Sequence, residues 1–215
     1  MRRGDMADLS PRSRSDQGRR TIVRDPEGAR RALLASAIQL FEKNGYAATS
    51  VQSITAAANL TKGAFYHHFK SKEDLLFHVH DRFIDYQLYR ARKVVADAKL
   101  RADAKLRRLI VEALLEPMVI YKSEMTVFLQ ERRFLSGEVF GGIKRKREEF
   151  ERHFVEVIEA GIRERVFRQV GPPRIVAFGI IGMGAWTHAW LDGEGAISPT
   201  EIGGTYAEMV VNGLR

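Results

Sequence analysis

The chain has no cysteine at all. That excludes a disulfide framework, a thiolate zinc site and a thiol redox switch. Long apolar runs are also missing. The longest stretch without a charge, residues 175–191, lies between Arg174 and Asp192. It falls short of the roughly 20 apolar residues that a bilayer span needs. Because it is apolar on every side, it is expected to be a helix enclosed by other helices. The arginines near the start have no apolar segment behind them, so no secretory signal is expected and the cytoplasm is the expected location. Strand-like alternation of useful length is absent. So are a nucleophile elbow, a P-loop, a dinucleotide fingerprint and a metal-binding helix motif. No enzymatic activity, no cofactor and no metal are therefore expected. His78 and His80 are two apart and would point to different sides of a helix, and His67 and His68 have no carboxylate cage beside them.

What the chain does have is positive charge. Its formal net charge is +8 over 215 residues, with a pI of about 9.9. Such a balance favours an anionic partner such as nucleic acid. Hydrophobic residues make up 45%, enough to build a core. Residues 1–24 are the exception, with many Arg, Ser, Asp and Gly and few apolar side chains. They cannot bury enough surface to offset ordering entropy, and a disordered basic arm is expected there.

Helical signals follow without interruption. Asp25-Pro26 is an N-cap and first-turn pair. Leu33, Leu34, Ala37, Ile38 and Phe41 then share one helical face, and Asn44-Gly45 closes the helix. Thr49, with Gln52 three residues on, predicts the cap of a second helix. Asn59 suits the left-handed residue of a tight turn. Thr61 should cap a short third helix to His68. Ser71, with Asp74, should cap a fourth that continues to about residue 99. Further helices are expected over 104–122, 124–135, 138–165, 173–192 and 199–212, with a kink at Pro117. The expected architecture is all-α. It comprises a three-helix helix-turn-helix domain over 25–72 and a helical ligand-binding and dimerisation domain over 73–215.

In the third helix, Leu60, Phe65 and Phe69 can turn inward, while Lys62, Gly63, Tyr66 and His67 form the opposite stripe. Lys62 supplies charge, small Gly63 and Ala64 allow close approach, and Tyr66, His67 and His68 offer hydrogen bonds to phosphate. This is the layout of a helix that enters the major groove. The stripe alone leaves open a plain solvated face. Residues 45–76, GYAATSVQSITAAANLTKGAFYHHFKSKEDLL, resemble the N-terminal domain of TetR-family regulators. The family's Ser/Thr-Lys-Gly-x-aromatic-or-Leu-Tyr-x-His-Phe-x-Ser/Asn-Lys-Glu/Asp run is nearly complete here, from Thr61 to Asp74. Asn59 departs from the pattern, which usually has Gly there. The resemblance implies DNA contacts from Thr49, Thr61, Lys62, Gly63, Tyr66, His67, His68 and Lys72, with Ser50 and Ala64 beside them.

The resemblance also implies a homodimer through the last two long helices, reading a near-palindromic operator. Gly179 and Gly182 would then allow close approach at the interface. Met118, Tyr121, Met125 and Phe128, with Trp186 and Trp190 four apart, are ordinary core residues one by one. In a family with a ligand cavity, together they read as a pocket wall. Arg132 and Arg147 each interrupt an apolar stripe and need an anionic partner. A neighbouring Glu131 or Glu151 would serve, and so would a ligand phosphate or carboxylate. The tail from Gly182 resembles TetR-family repressors of lipid, steroid and aromatic-acid breakdown through Trp186, Trp190, Gly193, Ser198, Pro199, Glu201, Ile202, Gly213 and Leu214. Many such regulators respond to acyl-CoA thioesters. The expected function is a DNA-binding repressor released by a small-molecule effector of that kind. Two alternatives remain: an efflux regulator responding to hydrophobic drugs, and a helical lipid- or thioester-binding protein or enzyme without DNA binding.

Overall fold

The computed structural model describes residues 25–135, 137–191 and 197–215. The expected basic arm, residues 1–24, lies outside the described residues, as do Asp192 and Gly193. Among the described residues every regular element is helical.

Helix α1, Pro26–Asn44, starts as its cap predicts: the Asp25 carboxylate accepts from the Gly28 amide at 2.8 Å. It buries Leu33, Leu34, Ala37, Ile38 and Phe41. Gly45 ends it at a φ of 77°, a conformation open to glycine and costly for most side chains. Helix α2, Val51–Ala57, departs from expectation by one residue. Its cap is Ser50, in a reciprocal box with Ser53. Thr49 is instead 2% exposed, and its hydroxyl donates back to the Gly45 carbonyl at 2.9 Å. Asn59 takes the left-handed turn at φ 56°. Thr61 caps α3, Lys62–His68, by accepting from the Ala64 amide. Phe65 and Phe69 from this segment fill the small core with Ile54, Leu75 and Leu76. Truncating either Phe to Ala would cost about 3–5 kcal/mol.

Helix α4, Lys72–Val95, is capped by Ser71 as predicted. It belongs to both parts of the molecule. Its start packs on α1, with His78 against the Phe69 ring, and its remainder packs on α7, Lys122–Glu131, and α8, Gly137–Arg163. Lys146 of α8 is ion-paired to Asp81 and Asp85 of α4.

Between α5, Ala102–Arg108, and α6, Glu116–Ile120, the expected continuous helix widens into π-helical turns over Leu109–Leu115. Pro117 follows directly and has no amide to donate to the preceding turn. The Glu116 amide reaches back five residues, to Val111. The irregularity is therefore a wide turn ahead of the proline, more than a simple kink. Two other helices press on this stretch through glycines. A Cβ on Gly184 would lie 2.4 Å from the Leu114 side chain, and one on Gly203 would lie 3.2 Å from the Val111 Cα. These belong to α9, Pro173–Trp186, and α10, Pro199–Leu214.

Helix α9 is not enclosed by the described residues. Ala177, Ile180 and Gly184 face inward, while Ile175 is 63% exposed and Phe178 and Trp186 are also on the surface. Gly179 and Gly182 lie on the open side, with no described residue within 4 Å of a Cβ at either. The helix also ends early. Thr187–Ala189 form a 3-10 turn, drawn tight by the Thr187 hydroxyl donating to the Gly184 carbonyl. Trp186 and Trp190 therefore do not share one uninterrupted helical face.

Candidate DNA-binding face and effector cavity

The α2–α3 pair presents one polar surface. Ser50, Thr61, Lys62, Gly63 and His67 are exposed, Ala64 and His68 are half-buried, and Tyr66 is 59% exposed. Tyr66 is held edge-on by buried Phe65, with ring centroids 5.2 Å apart. The inward turn of Phe65 thus sets the outward direction of Tyr66, as helical spacing requires. Gly63 meets only its own cap, Thr61 Oγ1, at 3.7 Å. A groove edge could approach the backbone there without obstruction. The His67 and His68 rings meet at 4.9 Å. The His68 pKa is pushed down by partial burial first and by neighbouring His67 and Arg30 next, so the ring is an uncharged hydrogen-bonding group near neutral pH.

Two of the residues expected at the duplex, Thr49 and Lys72, make hydrogen bonds within the protein. The Thr49 hydroxyl is turned into the α1–α2 corner. Lys72 Nζ donates to the carbonyls of Tyr46 and Thr49, each at 2.8 Å, and sits 4.1 Å from the Tyr46 ring centroid. Burial lowers its pKa, and Glu131 works in the opposite direction. Both side chains hold the corner that positions α2 and α3. Fixing that corner is a positional role, and their spacing in the sequence did not reveal it.

Tyr46 is also where the two parts of the molecule join. Its ring is tilted against Phe41 and Phe134. Its backbone amide donates to Glu131 Oε1 at 3.0 Å, in a buried setting. The sequence offered Glu131 as a partner for a nearby arginine. In the fold it reaches the DNA-binding part, and Arg132, its neighbour, is exposed in a 3-10 turn.

A cleft of ≈ 450 Å³ opens between α7, α8 and α9. Arg132, Lys144, Arg147 and Arg174 line it against Glu148 and Glu151, with Phe128 and Phe140 as apolar wall. The cations outnumber the carboxylates, so the cleft favours an anion. Arg147 is its deepest cation. Burial lowers its pKa most, Glu151 offsets this in part, and Arg132 adds to the lowering. Its guanidinium lies 5.9 Å from the Phe128 ring centroid. Among the described residues it makes no hydrogen bond. Deeper in, Arg147 also borders a small cavity of ≈ 30 Å³ that Met118, Met125, Leu114 and Phe150 help to line.

Of the residues expected in a pocket wall, Met118, Met125, Phe128, Arg132 and Arg147 border one or other of these spaces. Tyr121 packs between Phe83 and Tyr86 and borders neither. Trp186 and Trp190 lie on the surface at 66% and 50% exposure. Sequence reasoning passed over Lys144 and Arg174, which look like ordinary surface charges, and Gln87 inside the cavity, and it weighed His80 there only as a metal ligand. No described group of His, Asp or Glu could hold a metal ion.

Comparison with known proteins gives a consistent picture. Residues 33–79 match the family described as "Bacterial regulatory proteins, tetR family", and residues 99–214 match "Tetracyclin repressor-like, C-terminal domain". The HTH-type transcriptional repressor KstR2 of Rhodococcus jostii is 28% identical over 194 residues, covering 87% of this chain and 91% of its own. The structure of the ketosteroid transcriptional regulator KstR2 of Mycobacterium tuberculosis superposes with a TM-score of 0.76 at 26% identity, covering 86% of this chain and 94% of that one. AibR, solved in complex with isovaleryl coenzyme A and operator DNA, superposes with a TM-score of 0.72 at 27% identity, covering 84% and 97%.

Proposed function

Since the chain belongs to the TetR family of bacterial transcription regulators, we propose that it is a repressor whose dimer holds operator DNA through α3 and releases it when an anionic, largely apolar ligand fills the α7–α8–α9 cleft. An acyl-CoA thioester is the class that fits best. For DNA, the supporting observation is the exposed stripe of Lys62, Gly63, Tyr66 and His67 on a helix whose other side is buried. For the ligand, it is the surplus of cations around a cleft that leads to an apolar core. Those cations repel cationic drugs, so the efflux reading is disfavoured.

The uncovered face of α9, with Ile175, Phe178, Gly179, Gly182 and Trp186, is the proposed dimer surface. Flat glycines between large apolar side chains let a second helix approach closely, and a patch of this kind on a lone chain marks an interaction site. A two-fold dimer places two copies of α3 in successive major grooves, about 34–36 Å apart or a multiple of that.

Release requires a conformation in which those two helices no longer match the grooves, and the ligand shifts that equilibrium only by its differential affinity for the two conformations. Helix α7 is suited to carry the signal. Phe128 borders the cleft, and Glu131, one turn later, holds the Tyr46 amide. Helix α4 provides a second route, since it runs from Ser71 beside α3 to the cavity wall.

The test is titration of operator-bound protein with acyl-CoA esters, free carboxylic acids and cationic drugs, read by mobility shift. Release by acyl-CoA esters is expected. Release by cationic drugs alone would overturn the reading in favour of an efflux regulator.

A further inference from the structure

The ≈ 30 Å³ cavity has a mostly apolar lining, with Arg147 and Glu151 at the edge it shares with the cleft and two uncharged polar side chains, His80 and Gln87, that carry nitrogens without a partner among the described residues. His80 is 1% exposed and Gln87 is 3% exposed. Both nitrogens of His80 and Nε2 of Gln87 are buried without a hydrogen-bond partner among the described residues. The two residues lie on the same face of α4, two turns apart, about 10 Å along the helix axis. Buried polar groups without partners are rare in folded proteins, and each calls for an explanation. Ion pairing does not supply one here. Burial, together with nearby Arg147 and Lys146, keeps the His80 ring uncharged. A neutral imidazole offers one N–H donor and one acceptor in either tautomer.

The cavity and the outer cleft share Arg147 and Glu151, which border both spaces, and Phe128 of the cleft wall stacks on His80 with ring centroids 3.5 Å apart. An anion held at Arg147 would therefore have its apolar body directed past Phe128, toward His80 and Gln87.

We propose that His80 and Gln87 form a polar inner end of the effector site, so that the effector carries carbonyl or hydroxyl oxygens on its apolar body, away from its anionic group. This rests on the anionic-effector reading above and narrows it. A carbonyl oxygen accepts from Gln87 Nε2 or from the His80 N–H, and a hydroxyl can either accept from that N–H or donate to the bare ring nitrogen. A plain hydrocarbon chain satisfies none of these groups and leaves each desolvated, which is the basis of discrimination. The cavity as it stands has room for about one or two waters. The ligand body enters as Phe128 moves off His80, and that movement acts on the helix that carries Glu131.

The experiment compares cyclohexanecarboxyl-CoA with 4-oxocyclohexanecarboxyl-CoA by calorimetric titration. The free ketone 4-methylcyclohexanone is the third probe. Wild type and the variants His80→Phe, Gln87→Leu and the double variant are used. Wild type is expected to bind the oxo thioester at least tenfold more tightly than its plain counterpart. The double variant is expected to lose or reverse that preference. The variants should melt no lower than wild type, since they replace unsatisfied polar groups with apolar ones. Equal binding of the two thioesters by wild type would overturn the inner site and leave the anionic-effector reading standing. So would a preference that persists in the double variant, as expected if water alone satisfies these groups. Binding of the ketone to wild type but not to the double variant, with neither thioester bound, would keep the inner site and reject the thioester. No binding by any probe would overturn both.

Discussion

Glu131 accepts a hydrogen bond from the backbone amide of Tyr46 at 3.0 Å, joining the end of α7 to the turn before α2 across 85 positions of sequence. Both partners are buried, and Lys72 stands over the same tyrosine ring. A charged acceptor makes such a bond worth about 1.5–3 kcal/mol. Glu131→Ala should lower stability by that amount in urea melts. If the bond transmits the signal, the variant should bind effector with unchanged affinity by calorimetry but release operator less completely. Unchanged release at saturating effector would make the contact purely structural.

Tyr66→Ala should weaken operator binding about tenfold or more, in line with about 1.5–3 kcal/mol for a hydrogen bond to a charged phosphate. The side chain is mostly exposed, so thermal stability should stay within about 0.5 kcal/mol of wild type. Lys62→Ala should instead reduce the salt slope of binding by about one if it meets a phosphate. Mobility shifts over a range of salt separate the two.

Glycines on the two sides of α9 should behave oppositely. Gly182 faces open space, so Gly182→Leu should leave the subunit folded but lower dimerisation in sedimentation and, with it, operator affinity. Gly184→Val should strain the subunit itself, because the Cβ meets Leu114. Overpacking of this kind costs about 1–3 kcal/mol, measurable as a lower melting temperature. A Gly182→Leu protein that stays dimeric would place the interface elsewhere.

Arg147→Ala should raise the effector concentration needed for release about tenfold or more while leaving operator affinity without effector unchanged. Arg147 is the cation shared by cleft and cavity. No shift in that concentration would return it to a local role beside Glu151.

His80 should make stability depend on pH. Its folded pKa is held well below the ordinary value of 6.5 by burial first and then by Arg147 and Lys146. The unfolded chain takes up a proton below about pH 6.5 that the folded chain refuses, so stability is full above that pH and falls as the pH drops beneath it. One such group contributes a slope of at most about 1.4 kcal/mol per pH unit. Urea midpoints between pH 5 and 7.5 should show the decline, and His80→Phe should remove this share of it.

Several features of this protein were legible in its sequence because their causes act within a few residues. The Asp25, Thr61 and Ser71 caps, the left-handed Asn59 and the alternation of buried Phe65 with exposed Tyr66 all follow from backbone chemistry and helical period. The helix-turn-helix and its outward stripe were therefore readable before any fold was known. The tertiary structure decided which partner each versatile side chain took. Thr49 lost its capping role to Ser50 because its hydroxyl found carbonyls in the preceding turn. Lys72 found two loop carbonyls, and Glu131 bypassed its arginine neighbour for a distant amide. Trp186 ended on the surface because it lies on the outward side of α9 with Ile175 and Phe178, and a 3-10 turn tied by Thr187 broke the helix that would have aligned Trp190 with it. His80 and Gln87 gave no signal because each fits an amphipathic helix by spacing alone. Only the packing of α7 and α8 over α4 left their nitrogens without partners, since desolvation depends on what lies across the cavity and not on what lies next along the chain.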